Sequence, residues 1–330
     1  MAIVESPPAL TESEVVGKSV GAETRTVSKP GRRATTLEKL IAPVIARSYD
    51  VIARSFPHTV RIETTNACNA KCIVCPHPVM SRPVKRMEPA LYEKIVQECG
   101  TRRCPEIHLH NFGEPLLDRD IADRIALAKN AGVKKVKIFS NGALITEKIS
   151  HRLIDSGLDE FKVSFDGATK EEFERIRTPL KYDRVVENLA TLVRLRNERK
   201  SKLKISVNCC STTDKDRTME MLADLVDEFH FARLHNWADG DYAGGARGVR
   251  QPCIRLWRTL TILVNGDVSL CCLDYDGKVK LGHIDEKTSI LDVWKSAAYR
   301  EVRSLHRSVR QDEMELCSTC SKSFVHLPFR

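Results

Sequence analysis

Twelve cysteines are many for a chain of 330 residues, and seven of them fall into two spaced sets. Cys68, Cys72 and Cys75 form a C-x3-C-x2-C run. Three thiolates at that spacing can hold three irons of a cubane cluster, leaving the fourth iron open to an external chelator. Structural zinc wants four protein ligands, so zinc here needs His77 or His58 to complete the set. The second set is Cys253, Cys271 eighteen positions later, and the pair Cys317 and Cys320. Four such ligands suit either structural zinc or a fully ligated iron–sulfur cluster. Cys272 follows Cys271 directly, and because successive strand side chains alternate faces, it points elsewhere. Cys99, Cys104, Cys209 and Cys210 sit beside apolar positions without partner spacing and read as buried thiols.

Positioning these groups falls to alternating β-rich and helical runs between Thr59 and Leu234. Strands are expected at Val60 to Glu63, Ile107 to His110, Val133 to Phe139, Glu160 to Phe165, Leu203 to Asn208 and Phe229 to Leu234. Helices are expected at Glu88 to Cys99, Arg119 to Asn130, Thr146 to Ser156, Tyr182 to Arg199 and Asp216 to Glu228. Successive βα units predict an α/β fold with a parallel sheet, a partial barrel or a doubly wound sheet, with the site at the carboxyl ends of the strands. Beyond Leu234 the rhythm stops. Apolar runs Leu260 to Val264 and Val268 to Leu270 flank Asn265-Gly266 and predict a β-hairpin. A short helix around Ile290, Val293 and Trp294 completes a module small enough to need a metal staple.

Residues 1–34 show no apolar period and read as a flexible tail. Thr35 and Glu38 have capping-box spacing, and Leu37, Leu40, Ile41, Val44, Ile45, Ile52 and Phe56 recur at a helical period. Residues 35–57 are therefore expected as an amphipathic cover whose apolar face packs on the following domain, with Pro43 kinking or restarting the helix. With 42% apolar residues the chain can bury a sizeable core. Its formal charge of +9 favours acidic ligands, but no interleaved aromatics or RNA-binding motif accompany it, so nucleic acid is not expected. The absence of a long uncharged apolar stretch argues against membrane insertion, and the lack of an apolar signal segment points to the cytoplasm.

The C-x3-C-x2-C run in the loop after the first strand resembles the hallmark of the radical S-adenosylmethionine (SAM) superfamily, which implies a partial (β/α)6 TIM-like barrel over residues 58–235. Other pieces follow in order. Asn111-Phe112-Gly113-Glu114-Pro115 is similar to the family's Gly-Gly-Glu segment, with Phe112 replacing the first Gly. The resemblance implies that Gly113 and Glu114 meet the SAM amino group; by itself the segment is equally a turn with a solvated Glu. Ser140-Asn141-Gly142 resembles the third-strand SAM contact, and Ser164-Phe165-Asp166-Gly167 the segment facing SAM and substrate. Asn208 offers a further polar contact or a strand-end amide that satisfies loop backbone.

Residues 236–330 resemble the shortened SPASM, or Twitch, extension that holds one auxiliary [4Fe-4S] cluster, implying Cys253, Cys271, Cys317 and Cys320 as its ligands. The likeness runs from Val60 to Cys320 and is greatest to sugar- and aminocyclitol-modifying members. It implies cofactors SAM and two [4Fe-4S] clusters, a small-molecule substrate, a one-electron donor such as flavodoxin or ferredoxin, and oxidation or epimerisation of a carbon centre. Within that reading Cys272 is a candidate hydrogen donor for epimerisation. Asp241, with His235, Asp239 and Tyr242, is a candidate base beyond the last strand, and Arg247, Arg250 and Arg255 are candidate anion binders. Peptide maturation is the enzymatic alternative, and a zinc-stapled basic binding protein the alternative of another class.

Overall fold

A computed structural model describes residues 34–52, 55–209, 214–232, 234–237 and 249–325. Almost all of the expected tail, together with Cys210, Asp239, Asp241, Tyr242 and Arg247, lies outside the described residues.

Helix α1 (Thr36–Ile52) precedes six βα repeats. Strands β1 (Thr59–Ile62), β2 (Glu106–His108), β3 (Lys135–Ser140), β4 (Glu160–Ser164), β5 (Lys204–Cys209) and β6 (Glu228–Phe231) pair in chain order, every pair parallel. Helices α2 (Pro89–Thr101), α3 (Ile121–Asn130), α4 (Glu147–Asp155), α5 (Lys170–Ile176), α6 (Tyr182–Glu198) and α7 (Lys215–Leu222) fill the crossovers. This is the expected partial barrel. The largest shifts are at β6, which ends at Phe231 rather than Leu234, and at α7, which stops at Leu222 before a 3-10 turn, Ala223–Leu225.

Helix α5 was not expected, although its start is written in the sequence. Thr169 Oγ1 accepts the Glu172 N–H at 3.2 Å, and a Glu172 carboxylate oxygen accepts the Ala168 N–H at 2.7 Å. Strand side chains alternate as the pleat requires. Val60, Ile107, Val136, Phe161 and Ile205 are fully buried in the core. The opposite face carries charges that pair across strands: Lys137 bridges Glu106 (2.5 Å) and Glu160 (3.2 Å), and Lys162 reaches Glu160 at 3.2 Å. Glu160, Glu228 and His230 converge within 4.8 Å, but Lys135, Lys137, Lys162 and Lys204 already neutralise these carboxylates.

The C-terminal part holds β7 (Val249–Arg250), α8 (Arg255–Arg258), β8 (Thr259–Ile262), β9 (Asp267–Ser269), β10 (Lys280–His283), α9 (Ile290–Trp294), α10 (Ala297–Arg307), α11 (Glu315–Ser318) and β11 (Phe324–Val325). The predicted hairpin is β8–β9. It does not stand apart: β8 pairs in parallel with β1, from Thr59 with Thr259 to Ile62 with Ile262. The result is one nine-stranded sheet ordered β10-β9-β8-β1-β2-β3-β4-β5-β6. Covering the β1 edge in this way satisfies backbone groups that an open barrel leaves exposed.

Helix α1 corrects the sequence reading. It runs through Pro43 as one element, and Leu40, Val44 and Val51, at 67%, 70% and 84% exposure, face outward. The buried side is Glu38, Ala42 and Ala46. The capping box exists, with Thr35 N–H on Glu38 Oε2 (2.8 Å) and Glu38 N–H on Thr35 Oγ1 (3.2 Å). The same carboxylate accepts the Arg250 N–H at 2.6 Å. At the other end Asp50 takes the Trp257 indole N–H (2.7 Å) and Arg307 Nη2 (2.5 Å). Two anchored carboxylates therefore turn the small-residue face inward, and the helix lies on the C-terminal elements instead of the barrel.

Candidate active site and iron–sulfur centres

The loop carrying Cys68, Cys72 and Cys75 is held from three sides. Lys71 N–H donates to the Thr178 carbonyl (2.7 Å) and Ile73 N–H to the Ile176 carbonyl (3.0 Å), so the end of α5 clamps its middle. Glu114 N–H donates to the Ala67 carbonyl at 2.7 Å. Beside it, Gly113 sits at φ +139°, where a Cβ would lie 2.5 Å from the Thr65 carbonyl oxygen; only glycine lets these backbones meet. From the third side, Trp237 Nε1–H donates to the Val74 carbonyl at 2.9 Å.

The three thiols are close enough to perturb one another. Burial pushes Cys68 up to about 12 and Cys75 up to about 11, so metal binding must release protons. Burial also raises Cys72, opposed by the Arg177 guanidinium, whose Nη1 lies 4.0 Å from its sulfur. Arg177 follows α5 and pairs with buried Asp166 through Nε (2.9 Å) and Nη2.

Glu114 is fully buried at the head of this loop. Its Oε1 accepts Ser140 Oγ–H (2.8 Å) and the Leu116 N–H (3.0 Å), and its Oε2 accepts the Asn141 N–H (2.7 Å). Burial raises its pKa to about 6 against these donors, which leaves a carboxylate at neutral pH. Asn141 Nδ2 donates to Asn69 Oδ1 at 2.7 Å, tying the β3 end to the cysteine loop. The structure thus brings Gly113, Glu114, Ser140, Asn141 and the three cysteines together. Asp166 joins them through Arg177 and Cys72. Ser164 and Asn208 face each other in register at the ends of β4 and β5.

Phe112, which replaces the expected glycine, is buried and makes ring contacts with Trp237 (5.5 Å) and Tyr275 (6.0 Å). Its backbone N–H donates to Glu63 at 3.3 Å. Glu63, fully buried after β1, forms a two-pronged pair with Arg82 at 2.7 and 2.8 Å and accepts the Val264 N–H at 3.0 Å. Arg82 Nε–H also donates to the Tyr275 carbonyl at 2.7 Å. The sequence reading missed this bracket, since nothing in the spacing of Glu63, Arg82 and Tyr275 marks them.

In the second centre, Cys253, Cys271, Cys317 and Cys320 line a single cavity with Arg255 and His306. Asn236 Nδ2 donates to the Thr319 carbonyl at 2.7 Å, and Arg250 Nη2 to the Ser318 carbonyl at 2.8 Å, bracketing the Cys317–Cys320 turn. Arg250 also pairs with Asp312 at 2.9 Å, so it serves the fold rather than an anion. The Cys253 N–H donates to His306 Nδ1 at 3.2 Å; burial, then Arg250, lowers the His306 pKa to about 3. Cys272 does not line this cavity. Burial raises its thiol, but the Arg61 and Arg255 guanidinium groups outweigh burial and hold it below the ordinary thiol range. His235 stays neutral, lowered to about 3 by burial and then by Lys322 and Arg255. Asp241 lies outside the described residues.

A tetrahedral zinc thiolate site has Zn–S near 2.3 Å and hence sulfurs about 3.8 Å apart. Among the described residues no three cysteine sulfurs lie within 4.8 Å of one another, so no trio of thiols is gathered at zinc-site spacing; an all-cysteine donor set is the one an iron–sulfur cluster takes.

This fold and these two cysteine centres agree with the domains the chain carries: residues 62–201 match the model of the radical SAM superfamily, and residues 253–321 match SPASM, an iron–sulfur cluster-binding domain. Its cofactors are accordingly S-adenosylmethionine, a [4Fe-4S] cluster and auxiliary iron–sulfur. The chain is 22% identical over 271 residues to the S-adenosyl-L-methionine-dependent 2-deoxy-scyllo-inosamine dehydrogenase of Niallia circulans, covering 81% of this chain and 93% of that relative. Its fold matches the crystal structure of BtrN in complex with AdoMet and 2-DOIA at TM-score 0.58, with 21% identity over 80% of this chain and 92% of that one. It also matches Streptococcus suis SuiB bound to precursor peptide SuiA at TM-score 0.63, with 16% identity over 79% of this chain and 69% of that one.

Proposed function

We propose that the chain dehydrogenates a hydroxyl-bearing carbon of a small polyhydroxylated molecule, a sugar or an aminocyclitol. When bound, SAM and its reduced cluster supply a 5'-deoxyadenosyl radical that takes a hydrogen atom from carbon. Held by Cys253, Cys271, Cys317 and Cys320, the auxiliary group would supply an acceptor for the one electron that must leave when the hydroxyl proton is lost and the carbonyl forms. Cys68, Cys72 and Cys75 hold the SAM-binding cluster, and Cys253, Cys271, Cys317 and Cys320 the auxiliary one. Glu114, charged at neutral pH, offers its carboxylate to the SAM ammonium. Gly113, Ser140, Asn141, Ser164, Asp166 and Asn208 complete the SAM and substrate walls. Arg177 offsets negative charge at Cys72, and the Phe112, Trp237 and Tyr275 rings keep water out.

One observation carries this reading: the adjacent residues Asn236 and Trp237 hold the two cysteine loops, so a substrate beside Trp237 lies between both centres. Similarity to the aminocyclitol dehydrogenase over nearly all of that relative favours the substrate class. The test is anaerobic incubation with SAM, a reductant and ring-deuterated sugars and aminocyclitols. Deuterium in 5'-deoxyadenosine together with a carbonyl product supports dehydrogenation; reaction only with peptides overturns it in favour of peptide maturation.

A second reading, epimerisation, draws on Cys272, which turns away from the auxiliary cavity toward Arg61 of β1. Solvent deuterium at an inverted carbon, lost in Cys272→Ala, would select it. We place the enzyme in the cytoplasm, served by flavodoxin or ferredoxin. No helix among the described residues is long and apolar enough to cross a membrane.

A further inference from the structure

We infer that His306 is a positioning residue of the auxiliary centre: its Nε2–H donates a hydrogen bond to a sulfur of the bound iron–sulfur group or of a ligating cysteine and makes that group easier to reduce. The inference rests on the proposal that Cys253, Cys271, Cys317 and Cys320 hold the auxiliary group.

His306 lies near the end of α10 with 0% exposure, and its ring lines the cavity shared by those four cysteines. Its tautomer follows from one hydrogen bond. A backbone N–H can only donate, so Nδ1, which receives the Cys253 N–H at 3.2 Å, carries no proton. A neutral ring must then carry its proton on Nε2. That atom is buried and has no hydrogen-bond partner among the described residues. A buried donor left unmade costs about 1–3 kcal/mol, so an acceptor is required. The cysteine sulfurs make sulfur the acceptor this cavity brings to the ring. The Cys253 N–H thus fixes the ring that reports on the cluster Cys253 itself would bind, a outer-layer arrangement like that of metal-ligating sites generally. A donor to sulfur stabilises the more negative, reduced state, and hydrogen bonds to sulfur are among the factors that set cluster potentials.

The test uses full-length protein carrying Cys68/Cys72/Cys75→Ala, so that only the auxiliary cluster is read, with its midpoint potential followed by EPR during a redox titration. His306→Leu is expected to make reduction roughly tenfold less favourable, about 59 mV more negative for one electron. His306→Gln, which keeps an N–H near the Nε2 position, should return most of the shift. An unmoved potential in an iron-replete His306→Leu protein overturns the inference, as does a Gln variant that behaves like Leu. If His306→Leu fails to load iron, pulsed EPR on the parent with 15N-labelled histidine decides: a coupled histidine nitrogen supports the bond, and its absence refutes it. A parent that binds no iron refutes the cysteine assignment itself, an outcome distinct from an unmoved potential.

Discussion

Trp237 and Asn236 are neighbours in the chain that hold different metal loops. The indole N–H of Trp237 donates to Val74 within the first cysteine loop at 2.9 Å, and the amide of Asn236 donates to Thr319 between Cys317 and Cys320 at 2.7 Å. Asn236 also accepts the Ser321 N–H at 3.2 Å. This segment is therefore coupled to both centres through two side chains.

Replacing Asn236 by Ala leaves the Thr319 carbonyl and the Ser321 N–H without these partners, at a cost of about 1–3 kcal/mol. The expected outcome is partial loss of iron confined to the auxiliary centre. Iron analysis of Asn236→Ala with and without Cys68/Cys72/Cys75→Ala locates the loss, and equal loss from both centres would speak against the separate bracketing.

Glu114 predicts a pH dependence of SAM binding. Burial places its pKa at about 6, so below that pH the carboxyl is neutral and no longer answers an ammonium group. SAM affinity should fall roughly tenfold per pH unit below 6 by isothermal titration, and Glu114→Gln should flatten the profile while weakening binding at pH 7.5. The sign for stability without SAM is the reverse. A carboxyl whose folded pKa lies above its unfolded value favours folding at low pH, and that contribution, roughly 2 kcal/mol, is lost as pH rises from 4.5 to about 6.

Arg177 and Asp166 form a buried pair that also faces Cys72. Arg177→Met removes the Nε and Nη2 bonds from the buried Asp166 carboxylate, and should cost about 3–5 kcal/mol in urea unfolding of the reconstituted protein. Adding Asp166→Asn should recover part of that loss. A double variant as unstable as the sum of the singles would show that the two side chains do not interact.

Helix α1 gives the most direct contrast between pattern and packing. Leu40→Ser and Val44→Ser, both on its exposed face, should change stability by less than about 0.5 kcal/mol, whereas Ala46→Leu should cost about 1–3 kcal/mol by overpacking. Thermal unfolding of the three variants checks the orientation, and the opposite ranking would restore the apolar face to the inside.

The helix was misread because periodicity reports where apolar residues recur, not what they touch. Glu38 and Asp50 decide its orientation through partners more than 200 positions away, Arg250 and Trp257. The barrel strands were legible because each is a short apolar alternation between turn residues, and the cysteine sets because their chemistry demands close spacing. Strand β8 was recognised as half of a hairpin, but its pairing with β1 joins residues 200 positions apart and leaves no local mark. Glu63, Arg82, Trp237 and His306 share that property: each gains its role only when distant segments meet. Arg177 is different, since the Thr169 and Glu172 spacing that starts α5 was present in the sequence and went unread.

The proposed function requires two iron–sulfur clusters, of which the one on Cys68, Cys72 and Cys75 supports SAM cleavage. Iron, sulfide and zinc should be measured per chain after anaerobic reconstitution of wild type and Cys68/Cys72/Cys75→Ala, with 5'-deoxyadenosine assayed after reduction. The account predicts about eight irons falling to about four in the variant, and SAM cleavage by wild type alone. One or two tightly held zinc ions, no iron and no cleavage would contradict it.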